Sequence, residues 1–130
     1  MILVPFDGSA AAAHALEYAC DFGKLVGADV HVCHVVDYVE DAEGVLAKAR
    51  DIARKHEVSI QAQTLRGNVA EAILACARES RADLIVMGTH GRGGFRRAML
   101  GSVAEDVTRH STLPVLLLRD PTYELAPVTA

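Results

Sequence analysis

From Gly88 to Ser102 the chain reads GTHGRGGFRRAMLGS, with five glycines, three arginines and no acid in fifteen residues. The formal net charge of the whole chain is -4, so this positive, backbone-rich stretch stands apart from its surroundings. Glycine lets backbone N–H groups approach a ligand without a Cβ in the way, and arginine adds fixed positive charge; together they suit an anion, phosphate above all. A solvated turn has a similar composition, so spacing must decide. A Walker A loop needs GxxxxGK[ST], and the Gly23-Lys24 pair is followed by Leu25, which excludes it. The dinucleotide fingerprint GxGxxG fails because Gly91 and Gly93 are followed by Arg96 where glycine is required. What remains is Gly88, two residues, Gly91, nine residues, Gly101 and then Ser102.

That spacing has a physical reading. Gly88 and Gly91 flank a strand exit, while Gly101-Ser102 opens a helix whose first N–H groups lack intrahelical acceptors and whose dipole end is positive. Ser102 with Glu105 three residues on is a capping-box-like start that makes Ser102 the N-cap. Arg92, Arg96 and Arg97 lie between and can add charge to a bound phosphate or simply face water. Asp7 follows an apolar run and precedes Gly8-Ser9, so it either shapes the turn or faces a ligand. His90 has no carboxylate or nucleophile partner nearby in sequence, which favours a supporting or loop-packing role over catalysis. In HVCHVV (31–36) strand alternation puts His31 and Cys33 on one face and His34 on the other, an awkward arrangement for a shared metal.

The elements that must position these residues follow from hydrophobic pattern. Strands are predicted at 1–6, 29–36, 58–65, 83–88 and 113–118. The runs LIVM and VLLL are continuously apolar, as central parallel strands covered on both faces are. VSIQAQTL alternates instead, with Val58, Ile60, Ala62 and Thr64 on one side, and is predicted as an outer strand. Helical spacing occupies about 9–27, with Ala12, Leu16, Ala19 and Val26 on one face, and about 41–56, with Val45, Leu46, Ala49, Ile52 and Ala53. A third helix spans about 68–80, with Asn68 as N-cap and Glu71 three residues on. Regular alternation of strand and helix predicts an α/β fold: a doubly wound, open, five-stranded parallel sheet with helices on both faces. The loop at about 89–101 is long for such a connection and leaves the carboxyl end of a strand, where open α/β sheets bind ligands.

Size and composition bound the rest. The 130 residues, 51% hydrophobic and 23% charged, suit one domain with a real core over 1–120, followed by an extended or disordered tail at 121–130. The negative balance argues against nucleic-acid and anionic-membrane partners, which are held by surplus Lys and Arg. Cys20, Cys33 and Cys76 are widely and irregularly spaced without a CxxC pair, as reduced core cysteines are. No stretch approaches the roughly 18 apolar residues of a membrane span, and the first residues lack a signal-peptide pattern; a cytoplasmic location is expected.

VPFDGS (4–9), HVVD (34–37), RADLIVMGTHGRGGFRRAMLGSVAEDV (81–107) and LPVLLLR (113–119) together resemble the universal stress protein family, and the likeness covers nearly the whole chain. Gly-x2-Gly-x9-Gly-Ser beside an early PxD is that family's nucleotide-binding pattern. The resemblance implies a Rossmann-like fold of the adenine nucleotide alpha hydrolase type and an ATP site served by Mg²⁺. In it Pro5, Asp7 and Val35 sit beside the adenosine, Met87 and Gly88 border the ribose and phosphates, and Gly91, Gly101, Ser102 and Val103 hold the phosphates; Arg92 joins the candidate site on the charge of the loop alone. Ala104 stands where some relatives carry threonine. The resemblance also implies a homodimer through the 113–119 strand and an unidentified protein partner that reads the nucleotide state in a stress response. An alternative is slow ATP hydrolysis or phosphoryl transfer, for which the sequence offers no convincing catalytic set. A nucleotide-free, partner-binding relative is disfavoured by the intact glycine pattern.

Overall fold

The computed structural model describes residues 1–36, 41–90 and 100–119. The expectations at Gly91, Arg92, Arg96, Arg97 and the 121–130 tail lie outside those residues.

The apolar runs form the strands β1 (Ile2–Pro5), β2 (Val30–Val35), β3 (Ile60–Leu65), β4 (Leu84–Gly88) and β5 (Val115–Leu118). The periodic segments form the helices α1 (Ala10–Val26), α2 (Ala42–Lys55), α3 (Val69–Glu79) and α4 (Ser102–His110). All strand pairs are parallel, in the order β3-β2-β1-β4-β5. The expected doubly wound sheet is therefore observed. The chain winds outward from β1 to β3, crosses back over α3 to β4, and ends at the opposite edge. Right-handed crossovers then require α1 and α2 on one face and α3 and α4 on the other.

Strand alternation distributes the core accordingly. Ile2, Val4, Val30, Val32 and Val86 pack with α1 and α2, while Leu3, Cys33, Ile85 and Met87 pack with α3 and α4. Ser9 caps α1, its hydroxyl accepting from the Ala12 N–H at 3.2 Å, and Asn68 caps α3 by accepting from the Glu71 N–H at 3.0 Å. On the outer flank of α1 the Lys24 ammonium donates to the His56 carbonyl at 2.6 Å, and His56 Nδ1 lies 2.9 Å from Asp21 Oδ1. The hydrogen bond from His56 holds the Asp21 carboxyl below its ordinary range.

Four local expectations are corrected. VLLL forms β5 at an edge of the sheet and is only half-buried, because no strand lies beyond it. Val26 is exposed; the buried stripe of α1 continues from Ala19 through Gly23, and the helix ends at Gly27 before Val26 can turn inward. Thr64 is exposed while Leu65 packs beneath α3, since β3 is an edge strand whose far end leaves the α2 side uncovered. Ser102 is the first helical residue of α4 and not its cap. Gly101 holds the cap position in extended conformation (φ -64°, ψ 153°), and its carbonyl accepts the first helical bond from the Glu105 N–H at 2.9 Å.

Leu16 is fully buried between α1 and the sheet, whereas Leu25 on the same helix is 82% exposed. Leu16→Ala is expected to cost about 2–5 kcal/mol and Leu25→Ala no more than about 0.5 kcal/mol, read from urea unfolding midpoints at constant slope.

Candidate functional site

The sheet divides at its carboxyl end. β1 pairs with β4 only over Ile2–Leu84 and Leu3–Ile85, but with β2 as far as Pro5–Cys33. The Phe6 N–H prolongs the association with β2 by donating to the Cys33 carbonyl at 2.8 Å. β4 leaves in the other direction: Gly88 is opposite Leu118 of β5, and the Thr89 N–H donates to the Leu118 carbonyl at 2.9 Å. A cleft of about 320 Å³ occupies the gap. Its position is the switch point between strands whose connections run opposite ways, where doubly wound sheets bind ligands.

Of the residues expected at the site, Pro5, Asp7, Val35, Met87, Gly88, Gly101, Ser102 and Val103 all line this cleft. Gly91 and Arg92 are outside the described residues. Asp7 fulfils the turn-shaping role, its Oδ1 accepting from the Ser9 N–H at 2.9 Å, and it also faces the cleft. Gly8 takes φ +84° at the bend, a conformation that side chains disfavour, and its carbonyl accepts from the Lys48 ammonium at 2.7 Å.

Gly88 has a different reason from the one its place in the motif suggests. A Cβ there would lie 2.8 Å from the Ala11 Cβ and 2.9 Å from the Ala11 carbonyl carbon. Its bareness admits the first turn of α1 against the end of β4, which brings Asp7 and Ser9 close to the α4 entrance. Gly101 likewise has its own N–H committed, donating to the Thr89 carbonyl at 2.8 Å. The N–H groups that the start of α4 directs beyond its own helix are those of Ser102, Val103 and Ala104, the first turn of any helix being without intrahelical acceptors.

Thr89 carries no signal in the motif, yet it joins the parts. Buried at the end of β4, it bonds through its N–H to β5 and through its carbonyl to the α4 cap, and its Oγ1 shares a 2.9 Å hydrogen bond with His90 Nδ1. Opposite it, His34 Nδ1 donates to the Phe6 carbonyl at 2.8 Å, which fixes the ring against the turn after β1. Val69 and Ile73 of α3 complete an apolar wall with Val35 and Met87. Sequence reasoning missed them because a residue on α3 reaches β1 and β4 only through the crossover. Among the described residues Asp7 is the one carboxylate on the cleft wall.

The arrangement and the sequence pattern agree with known proteins. The model of the universal stress protein family matches residues 1–119. The chain belongs to this family. It is 33% identical to universal stress protein MJ0531 of Methanocaldococcus jannaschii, over 95% of this chain and 84% of that protein. It is 35% identical to a Thermus aquaticus universal stress protein, over 91% of this chain and 97% of the relative. The solved structure of MJ0577 superposes with a TM-score of 0.80 at 27% identity, covering 91% of this chain and 94% of that one. The Archaeoglobus fulgidus universal stress protein in complex with dAMP superposes with a TM-score of 0.73 at 27% identity, covering 90% and 95%.

In this universal stress protein the packing at Gly88 is thus part of the site's construction. Gly88→Ala is expected to lower stability by about 1–3 kcal/mol, the range for forcing a methyl into a filled space. Urea unfolding of the variant tests this; stability equal to the parent would mean that α1 yields without cost.

Proposed function

We propose that the cleft binds an adenine nucleotide, ATP carried with Mg²⁺, and that the protein is a regulatory binding module. The observation that carries the reading is the meeting, in one cleft, of the α4 N-terminus, an apolar wall and a single carboxylate. The helix start is a ready-made phosphate site. Met87, Val35 and Ile73 offer apolar surface for a flat base. Asp7 accepts hydrogen bonds and repels phosphate, so it suits the nucleoside end. The A. fulgidus relative's complex with dAMP supports the same ligand class.

Mg²⁺ fits this site as a companion of the phosphates. Magnesium is commonly held by substrate phosphates, water and one or two carboxylates rather than by an all-protein cage, and among the described residues no group of three His, Cys, Asp or Glu is placed to hold a metal. When bound it would neutralise phosphate charge.

Residues 1–120 act as one domain in this proposal, located in the cytoplasm, and a protein partner yet to be identified reads the nucleotide state in a stress response. Slow hydrolysis is the second reading, favoured by one observation: His90 lies on the cleft beside Thr89. The helix N–H groups hold the ground-state phosphates, and equal binding of ground and transition states does not speed chemistry. Turnover is therefore expected well below the typical enzymatic order of about 10 per second.

Calorimetry with ATP and Mg²⁺ should show one site per chain, lost in folded Gly101→Val, where a branched side chain meets the α4 entrance. Unchanged affinity in that variant would remove the assigned loop from the site. Phosphate release near the typical enzymatic rate, absent in the same variant, would replace the binding-module reading with an enzyme.

The proposed assembly is a homodimer through β5. This strand ends the sheet, with Val115 to Leu118 only half-buried, and such an edge pairs readily with another. Light scattering at micromolar protein should give twice the chain mass, and a concentration-independent monomer mass would exclude the dimer.

A further inference from the structure

Two of the three cysteines, 43 residues apart in sequence by their numbering, come together under α3. Cys33 is in β2, 1% exposed, and forms part of the cleft wall. Cys76 is on α3, 4% exposed, one turn beyond Ile73, which lines the same cleft. Gln63 is the direct neighbour of Cys33 across the β2–β3 pair, and its Nε2 donates to Cys76 Sγ at 3.0 Å. Both thiols also belong to the one buried cluster that α3 and α4 cover. Cys20 lies in the other core cluster, across the sheet.

We propose that Cys33, on the cleft wall, and Cys76, behind it on α3, are an oxidisable dithiol, which a hydroperoxide converts to an intramolecular disulfide and which a ligand covering the Cys33 side protects. The donors aimed at Cys76 favour its thiolate. Led by the Cys33 hydrogen bond and aided by Gln63, they bring its pKa down to about 7, against the opposing effects of burial and of Glu79. Cys33 is pushed well above its ordinary value by the same partner and by burial, and burial raises Cys20 to about 11. Thiolate is the attacking species, so Cys76 is the first to react.

The chemistry is self-consistent in atoms and electrons. The Cys76 thiolate attacks one oxygen of the hydroperoxide, the O–O bond breaks, and the alkoxide leaves and is protonated to the alcohol; Cys76 is now a sulfenic acid. The Cys33 sulfur attacks the sulfenic sulfur, the S–O bond breaks, and hydroxide leaves with the Cys33 proton as water. Two thiols lose two electrons and the peroxide gains them. Closure brings the sulfurs to about 2.05 Å and ties β2 to α3, which supply Cys33, Val35, Val69 and Ile73 to the cleft. Protection by ligand rests on the nucleotide reading of the cleft; the cross-link does not.

The test treats the full chain with hydrogen peroxide, blocks remaining thiols and maps peptides by mass. A Cys33–Cys76 peptide is expected in the parent and equally in Cys20→Ser. Cys33→Ser should stop at a Cys76 sulfenic acid that dimedone traps. The reaction rate should rise with pH around a midpoint near 7. With ATP at ten times its calorimetric Kd the rate should fall about tenfold, following the fraction of unoccupied cleft. Thiols that stay free, a linkage to Cys20 or a bond between two chains would overturn the dithiol. Equal rates with the cleft demonstrably filled would overturn its protection. Cross-linking in a protein that calorimetry shows not to bind nucleotide would uphold the dithiol and reject the functional reading.

Discussion

The parting of β1 from β4 is the constraint on which the site depends. Backbone hydrogen bonds hold the two strands together over two residues, after which each is drawn to its other neighbour, β1 to β2 through the Phe6 N–H and β4 to β5 through the Thr89 N–H. The reversal of winding direction at this pair sends α1 to one face and α4 to the other, so no crossover covers the gap. Most groups described on the cleft wall come from the strand ends, helix starts and turns beside this parting, with Ile73 added from the middle of α3. Packing holds it open: Ala11 fills the place of the missing Gly88 side chain, and an added methyl would push α1 off the sheet.

Among the described residues the cleft's polarity comes from the backbone at the start of α4 and from the Asp7 carboxylate. Within an acidic chain the start of α4 offers the cleft oriented N–H groups and a positive dipole end. The committed N–H of Gly101 sharpens this. By bonding to Thr89 it fixes the helix entrance to β4, so that the next three N–H groups have a defined direction. Asp7 supplies the opposite sign on the β1 wall while its other bond, to the Ser9 N–H, holds the turn. A ligand with an anionic end and a donor-bearing end matches that polarity better than a simple phosphate ion does.

Two buried polar residues on the site, His34 and Thr89, are tied to the fold's own backbone, which couples cleft shape to packing. His34 holds the Phe6 carbonyl, Thr89 holds β5 and the α4 cap, and Gln63 reaches from an edge strand to a cysteine under α3. Each of these residues bridges two elements of the fold. A change in one bond, whether by ligand or by covalent chemistry at the thiols, therefore bears on more than one wall.

Much of this was readable from the residues alone. Strand order along the chain, the parallel class and the helix faces followed from apolar periodicity, because a buried face must repeat with the period of its own element. Gly88, Gly101 and Asp7 were marked by spacing. Where local rules failed, at Val26, Thr64 and Ser102, an element end decided which side chain met the core, and ends depend on what packs there. The contributions of Val69, Ile73 and Thr89, the real reason for Gly88, and the meeting of Cys33 with Cys76 belong to tertiary structure. They arise where α1, α3 and α4 cross strands distant in sequence, and no local period carries information about which residues such crossings bring into contact.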